Sequence, residues 1–89
     1  MSKNLVFERR AWNEYIYWQN QDKKTLKKIN SLLESLQRDN QEIIGKAEKL
    51  KGELSGCCSL RINSKDRLVY RIKDEQIQII ECKGHYYDK

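Results

Sequence analysis

Proline is absent from this 89-residue chain, and there is neither an internal repeat nor a low-complexity stretch, so a proline-rich linker and a solenoid both lack support. Long apolar runs are missing as well. The longest, residues 15–18, falls far short of a signal-peptide core or of the ~20 residues that span a bilayer. Cysteine is scarce and odd in number: there are three, and two of them are the neighbours Cys57 and Cys58, between which a disulfide would be strained. That usage points to a reducing, cytoplasmic setting with the thiols buried and reduced. Histidine occurs once. What remains is 38% apolar residues, enough for one modest core, and a formal net charge of +5 from 18 Lys and Arg against 13 Asp and Glu. A chain this short closes one domain, residues 1–89, as a layer of helices on a single sheet. The moderate positive balance suits a polyanionic partner such as RNA, although basic surfaces solvated for their own sake are also common.

Residues 4–7 read as a short first strand. Ala11, Trp12, Tyr15, Ile16 and Trp18 then recur at spacings of three and four, the mark of an amphipathic helix. Asp22 is placed to cap a second helix, in which Leu26, Ile29, Leu33 and Leu36 form a stripe and Lys23, Lys24, Lys27 and Lys28 lie largely off it. Two accounts stand for these lysines, a solvated helix face and contact with RNA. The two helices are expected to form a hairpin. Residues 39–45 are polar, end in Gly45 and read as a linker. From Lys46 onward the period becomes two: Leu60 and Ile62 alternate with polar neighbours, and after a turn at 64–66 so do Leu68, Tyr70 and Ile72. A turn at 73–75 leads into the isoleucine-rich stretch 76–83. These are antiparallel strands joined by short turns. The predicted class is α+β: an N-terminal strand, then a two-helix hairpin packed on a twisted antiparallel sheet.

If Leu60, Ile62, Leu68, Tyr70 and Ile72 face the helices, Arg61 and Arg67 project from the opposite, open face. A pair of guanidinium forks is a natural seat for a phosphate, and it is also an ordinary decoration of a wet sheet face. His85, the lone histidine, sits at a polar chain end beside Tyr86 and Tyr87. An imidazole exchanges protons near neutral pH, and the tyrosines present faces on which a base can stack, or else plug the sheet edge. Glu48 lies among Lys46, Lys49 and Lys51. The cations favour its ionised form, so it is suited to accept a proton while the lysines hold a phosphate, with alternating surface charge as the plain alternative.

RNA cleavage can run on this small kit. The 2′-hydroxyl needs a base, the departing 5′-oxygen an acid, and the crowded phosphorane positive charge, and Glu48, His85 and Arg61 with Arg67 match those needs. A 2′,3′-cyclic phosphate is then the first product, and DNA is spared. Zinc is disfavoured, because structural sites use cysteines two to four residues apart, unlike Cys57 and Cys58. Thiol catalysis by Cys82 with His85 lacks any recognisable nucleophile motif. No metal or other cofactor is called for.

The run from Phe7 through Glu8, Arg9, Arg10, Ala11, Trp12, Asn13, Glu14, Tyr15, Ile16, Tyr17 and Trp18, with Lys27, Lys28, Ile29 and Asn30 after it, resembles the opening of the YoeB/Txe toxin family. Glu48, Leu50, Lys51, Leu54, Ser55, Gly56, Arg61, Ile62, Arg67, Leu68, Val69, Tyr70, His85 and Tyr86 follow in the family's order. The resemblance spans nearly the whole chain, and it implies a RelE-like ribonuclease that cuts mRNA in the ribosomal A site and arrests translation. It further implies Glu48 as general base, His85 as general acid, Arg67 as the stabiliser of the transition state and Tyr86 as a residue that positions RNA. Lys51 and Arg61 match positions that contact phosphate, with Lys46 and Lys49 as further RNA-binding positions. The implied partners are mRNA on the ribosome and a YefM/Axe-like antitoxin, through which operator DNA is contacted indirectly; no membrane is involved. The helix-one aromatics either support a homodimer or pack internally. A binding module that blocks the ribosome without cutting is the alternative.

Several positions depart from the family pattern. Ala47 and Lys49 stand where prolines often flank the glutamate, which leaves the backbone there less fixed. Cys57 and Cys58 replace large aromatics, Leu60 replaces a frequent arginine, and Gly84 is expected to loosen His85. These departures bear on rate and codon preference more than on reaction type.

Overall fold

The computed structural model describes residues 3–84. Strand β1 (Asn4–Phe7) opens the chain, and α1 (Arg9–Gln21) follows, burying Ala11 and Trp18. Asp22 closes one helix and opens the next. Its N–H donates to the Trp18 carbonyl at 3.0 Å, and its carboxylate accepts the Lys24 and Thr25 N–H groups, both at 3.1 Å, and the Thr25 hydroxyl at 2.8 Å. One residue thereby satisfies orphan groups of two helix ends and sets the hairpin angle. Helix α2 (Lys23–Gln37) buries Ile29, Leu33 and Leu36 of the expected stripe and Leu32 besides, leaves Leu26 partly buried, and keeps Lys23, Lys24, Lys27 and Lys28 exposed.

The expected linker at 39–45 is a correction: it contains a one-turn helix, α3 (Gln41–Gly45). Asn40 caps it through the N–H groups of Glu42 and Ile43, at 3.0 and 3.2 Å, and Ile43 and Ile44 pack against the core. Five residues are too few for a helical period to show in sequence. The remaining elements are β2 (Glu48–Lys49), a 3-10 turn (Gly52–Leu54), β3 (Cys58–Arg61), β4 (Arg67–Lys73) and β5 (Gln76–Glu81).

The strands form one sheet in the order β1-β5-β4-β3-β2. The three pairs among β2 to β5 are antiparallel, whereas β1 runs parallel to β5, so the sheet is mixed rather than wholly antiparallel. The first strand reaches the far edge because two helices intervene before the meander begins, a crossover of the kind that parallel pairing requires.

One sheet face carries Leu60, Ile62, Leu68, Tyr70, Ile77 and Ile79 against α1 and α2. Ile72, expected among them, is 45% exposed. Strand β3 begins at Cys58, opposite Tyr70, so no neighbouring strand flanks Ile72 on that side. The opposite face is not bare. Leu50, Cys57 and Val69 form a second small cluster there with Leu54 and Ile80, so the loop after β2 covers part of that face. A register shift between Val69 and Tyr70 leaves Ile80 outside the paired register of β4 and β5; Ile80 packs with this cluster, and Glu81 meets Arg10 of α1 at 3.5 Å. No helix among the described residues is long and apolar enough to cross a membrane.

Candidate active site: a charged half of the outer sheet face

Strand register decides which side chains meet. Arg61 and Arg67 are cross-strand partners, as are Leu60 and Leu68 beside them. Since the leucines enter the helix-side core, the arginines stand together on the outer face, with Cβ atoms about 4.5–5.5 Å apart as directly opposed residues are. Glu48 pairs with Ser59, and Ser59 with Val69 of the outer cluster, so Glu48 belongs to the same face. Ser59 lies two residues before Arg61, which makes Glu48 and Arg61 diagonal neighbours at roughly 7–8 Å. Carboxylate and guanidinium pair therefore share one face, at the end of the sheet that the loop after β2 leaves open.

The β3–β4 loop finishes this end. Asn63 Oδ1 accepts the N–H groups of Lys65 and Asp66, both at 2.8 Å, an Asx turn that stiffens the connection. Arg67 Nη1 reaches the Asn63 carbonyl at 3.4 Å, a long bond that steers the guanidinium toward the loop. The chain beyond β5 returns to the same place. The Arg67 N–H donates to the Gly84 carbonyl at 3.1 Å, and the Gly84 N–H donates to the buried Asp66 carboxylate at 2.6 Å. Gly84 adopts φ +83°, a conformation natural for glycine, and its two bonds pin a residue that the sequence marks as a loosening point. His85 and Tyr86 lie outside the described residues, which end at Gly84, whose carbonyl accepts the Arg67 N–H.

The other expected residues separate. Lys49 pairs with Cys58, which packs toward the helix-side core, so Lys49 leaves the sheet on the face away from Glu48. Lys46 follows α3 and, with Lys28 and Arg61, borders an apolar cavity of about 280 Å³ floored by Leu32, Ile43, Leu60 and Ile62. Lys51 is exposed just past the end of β2. Sequence reasoning missed Ser59, Asp66 and Arg71. Ser59 and Arg71 share the parity of Arg61 and Arg67 and were readable from it. Ser59 is buried opposite Glu48, and its Oγ has no hydrogen-bond partner among the described residues, while Arg71 Nε is held by Gln78 at 2.6 Å. Asp66 read only as a turn residue, because its partner is 18 positions away.

The cysteines are divided between the two clusters, Cys57 on the outer face and Cys58 and Cys82 on the helix side. Burial pushes the Cys57 thiol up, and the Cys82 thiol to about 12, helped in the latter by the nearby Glu14 and Asp66 carboxylates. Both stay protonated at neutral pH, a poor state for a nucleophile. The open end of the outer face instead brings one carboxylate and two guanidinium groups onto the same surface, groups of the kind that acid–base chemistry on a phosphodiester uses.

The sequence matches the family model for the YoeB-like toxin of bacterial type II toxin-antitoxin systems over residues 7–86, a span that runs through Glu48, Arg67, His85 and Tyr86. The chain belongs to the YoeB family of bacterial toxins. The toxin YoeB of Synechocystis sp. is 48% identical over 82 residues, covering 92% of this chain and 95% of that relative. Among solved structures, a YoeB dimer from Staphylococcus aureus superposes with a TM-score of 0.82 at 45% identity, covering 97% of this chain and 100% of that one. A YoeB-YefM complex from the same organism gives 0.80 at 44% identity with the same coverage. Membership in this toxin family agrees with the α+β architecture, mixed sheet included.

Proposed function

We propose that this YoeB-family toxin is a ribosome-dependent endoribonuclease that cleaves mRNA in the A site and so stops translation. The observation that supports this reading most is the register that puts Glu48 diagonal to the Arg61–Arg67 pair, with the backbone of Arg67 bonded to the residue before His85. Glu48 takes the proton of the 2′-hydroxyl, and the 2′-oxygen attacks phosphorus. Arg61 and Arg67 offset the charge that grows on the phosphorane. The bond to the 5′-oxygen breaks as His85 delivers a proton to it, giving a 2′,3′-cyclic phosphate and a 5′-hydroxyl. Tyr86 positions the RNA, and Lys46, Lys49 and Lys51 add only long-range attraction for its backbone, since Lys49 and Lys46 lie away from the Glu48 face. Acid, base and cations are all side chains, so no step requires a metal.

The ribosome supplies the alignment that so small a site lacks; holding nucleophile and leaving oxygen in line is worth about 7–11 kcal/mol. The YoeB-YefM complex and the YoeB dimer of S. aureus support two protein partners, an antitoxin of the YefM/Axe type and a second copy of the chain. Contact with operator DNA then runs through the antitoxin.

Brief induction of wild type, Glu48→Gln and His85→Gln, with mRNA ends mapped, tests the assignment. Wild type arrests growth and produces new ends within codons, and both variants lose this. If both variants arrest cells and cut mRNA as wild type does, the roles of Glu48 and His85 are wrong. The exposed lysines of α2 favour one second reading, a basic module that occupies the ribosome without cutting. Inhibited translation with intact messages is its signature.

A further inference from the structure

Three residues that the chemistry above does not use converge on the short segment 82–84 that leads to His85. Trp18 Nε1 of α1 donates to the Cys82 carbonyl at 2.8 Å, and both residues are buried. The Cys82 N–H donates to Glu14 Oε1 at 2.7 Å, one turn earlier on the same helix. Asp66 Oδ1 accepts the Gly84 N–H at 2.6 Å from the other side, out of the β3–β4 loop. Two weaker contacts agree with these: the Cys82 thiol lies 3.6 Å from the Ala11 carbonyl, and Lys83 Nζ sits 4.8 Å from the Tyr17 ring centroid.

The arrangement is more specific than core packing requires. After β5 ends at Glu81 the segment has left the sheet ladder, so its backbone groups need other partners. A buried strand end can satisfy them with any backbone nearby. Here side chains of residues 14, 18 and 66 do so, 68, 64 and 18 positions away in sequence. Two of these bonds come from a rigid helix and one from the loop that also steers the Arg67 guanidinium. The chain is thus fixed at two consecutive anchor points, Cys82 and Gly84, immediately before the imidazole-bearing residue.

We propose that Trp18, Glu14 and Asp66 are positioning residues: they clamp residues 82–84 between α1 and the β3–β4 loop and so fix the point beside the Arg67 backbone from which the chain continues to His85. The proposal rests on the nuclease reading for its kinetic consequence, but its structural half is separable. Reaction geometry is steep, and a misplacement of about 1 Å can cost on the order of a hundredfold in rate. Loosening the clamp therefore lowers kcat, while KM for the ribosome, set by surface charges elsewhere, changes little.

The test uses the full-length protein and ribosomes programmed with a defined mRNA. Trp18→Phe keeps an aromatic, though smaller, ring and removes the N–H donor, Asp66→Ala removes the acceptor, and Asp66→Asn restores an oxygen at the same place. The expected result is a fall in kcat of about 10- to 100-fold for Trp18→Phe and Asp66→Ala with KM within about twofold, and recovery of most of that loss in Asp66→Asn. His85 is the only histidine, so its imidazole resonance is read without ambiguity in each protein. That resonance should move toward the free-imidazole position in Trp18→Phe and Asp66→Ala, with the core methyl signals unchanged, and stay near its wild-type position in Asp66→Asn. Wild-type kcat together with a wild-type imidazole resonance in both disabling variants overturns the proposal. So does a resonance that moves only when the core signals collapse with it, since that is loss of fold. His85→Gln separates the two claims. Full activity in that variant removes the general-acid role, while the resonances of the other variants still decide whether the clamp holds the segment.

Discussion

Arg61 and Arg67 face each other directly across β3 and β4, an arrangement that repels unless an anion lies between or above them. A structural purpose would favour opposite charges there, so replacement should separate stability from function. Arg67→Gln is expected to leave thermal stability unchanged or raise it by a few tenths of a kcal/mol, while lowering mRNA cleavage by about 10²–10³-fold. A melting curve and a cleavage assay on the same preparation check both halves. Cys82 makes a second prediction. Its thiol is buried and pushed up to about 12, so a thiol reagent at pH 8 should modify it only after denaturation; rapid labelling of the native protein at Cys82 would contradict the packing described. Glu81 makes a third. Burial raises its pKa above the ordinary 4.5, with Arg10 opposing the shift and Glu14 adding to it. The folded state then keeps this proton longer than the unfolded chain does, so stability falls as pH climbs from 4.5 through the folded value. Glu81→Gln should flatten that decline in denaturation series at stepped pH, Arg10 retaining its 3.0 Å bond to Glu14.

Elements differ in how openly the sequence declares them. Both long helices were legible because their apolar residues repeat over several turns and Asp22 announces the break between them. The strands from Leu60 onward were legible by parity, which also assigned Arg61 and Arg67 to the outer face before any geometry was known. Helix α3 was not legible, because a single turn has no period; its evidence is local, the Asn40 cap and two isoleucines. The partner of β1 was hidden too, since parallel pairing with β5 depends on where two helices carry the chain. The covering of the outer face by Leu50, Cys57 and Leu54 was missed because these residues belong to a loop without pattern. The site followed the same division. Glu48 and the arginine pair came from pattern and resemblance, whereas Asp66 acts through a contact with Gly84 that no spacing reveals. The β4–β5 turn offers a test at this scale. Asp74 and Glu75 both take positive φ, 54° and 62°, where glycine is favoured at the second position. Glu75→Gly should therefore stabilise the fold, by up to about 1 kcal/mol in a denaturant titration, and clear destabilisation would show that the turn is set by side-chain contacts instead.

On the scale of the whole molecule, the proposed catalytic groups and the proposed clamp on residues 82–84 both depend on one small sheet with helices on a single face. The exposed ring of Trp12, 48% accessible and stacked on Tyr15, shows that the aromatic helix is not consumed by the core, although Trp18 is. With so few catalytic groups, purified toxin is expected to cut naked RNA poorly and ribosome-bound message well; a time course on both substrates checks this. The central claim concerns the bond chemistry, and the fragment ends report it most directly. Ribosomes should be programmed with a short message, incubated with the toxin, and the new 3′ ends identified by mass, alongside a message bearing a single 2′-deoxy nucleotide at the cut. The account predicts a 2′,3′-cyclic phosphate, a 5′-hydroxyl on the downstream fragment, and no cleavage of the deoxy message. A 3′-hydroxyl with a 5′-phosphate, or equal cutting of the deoxy message, would contradict it.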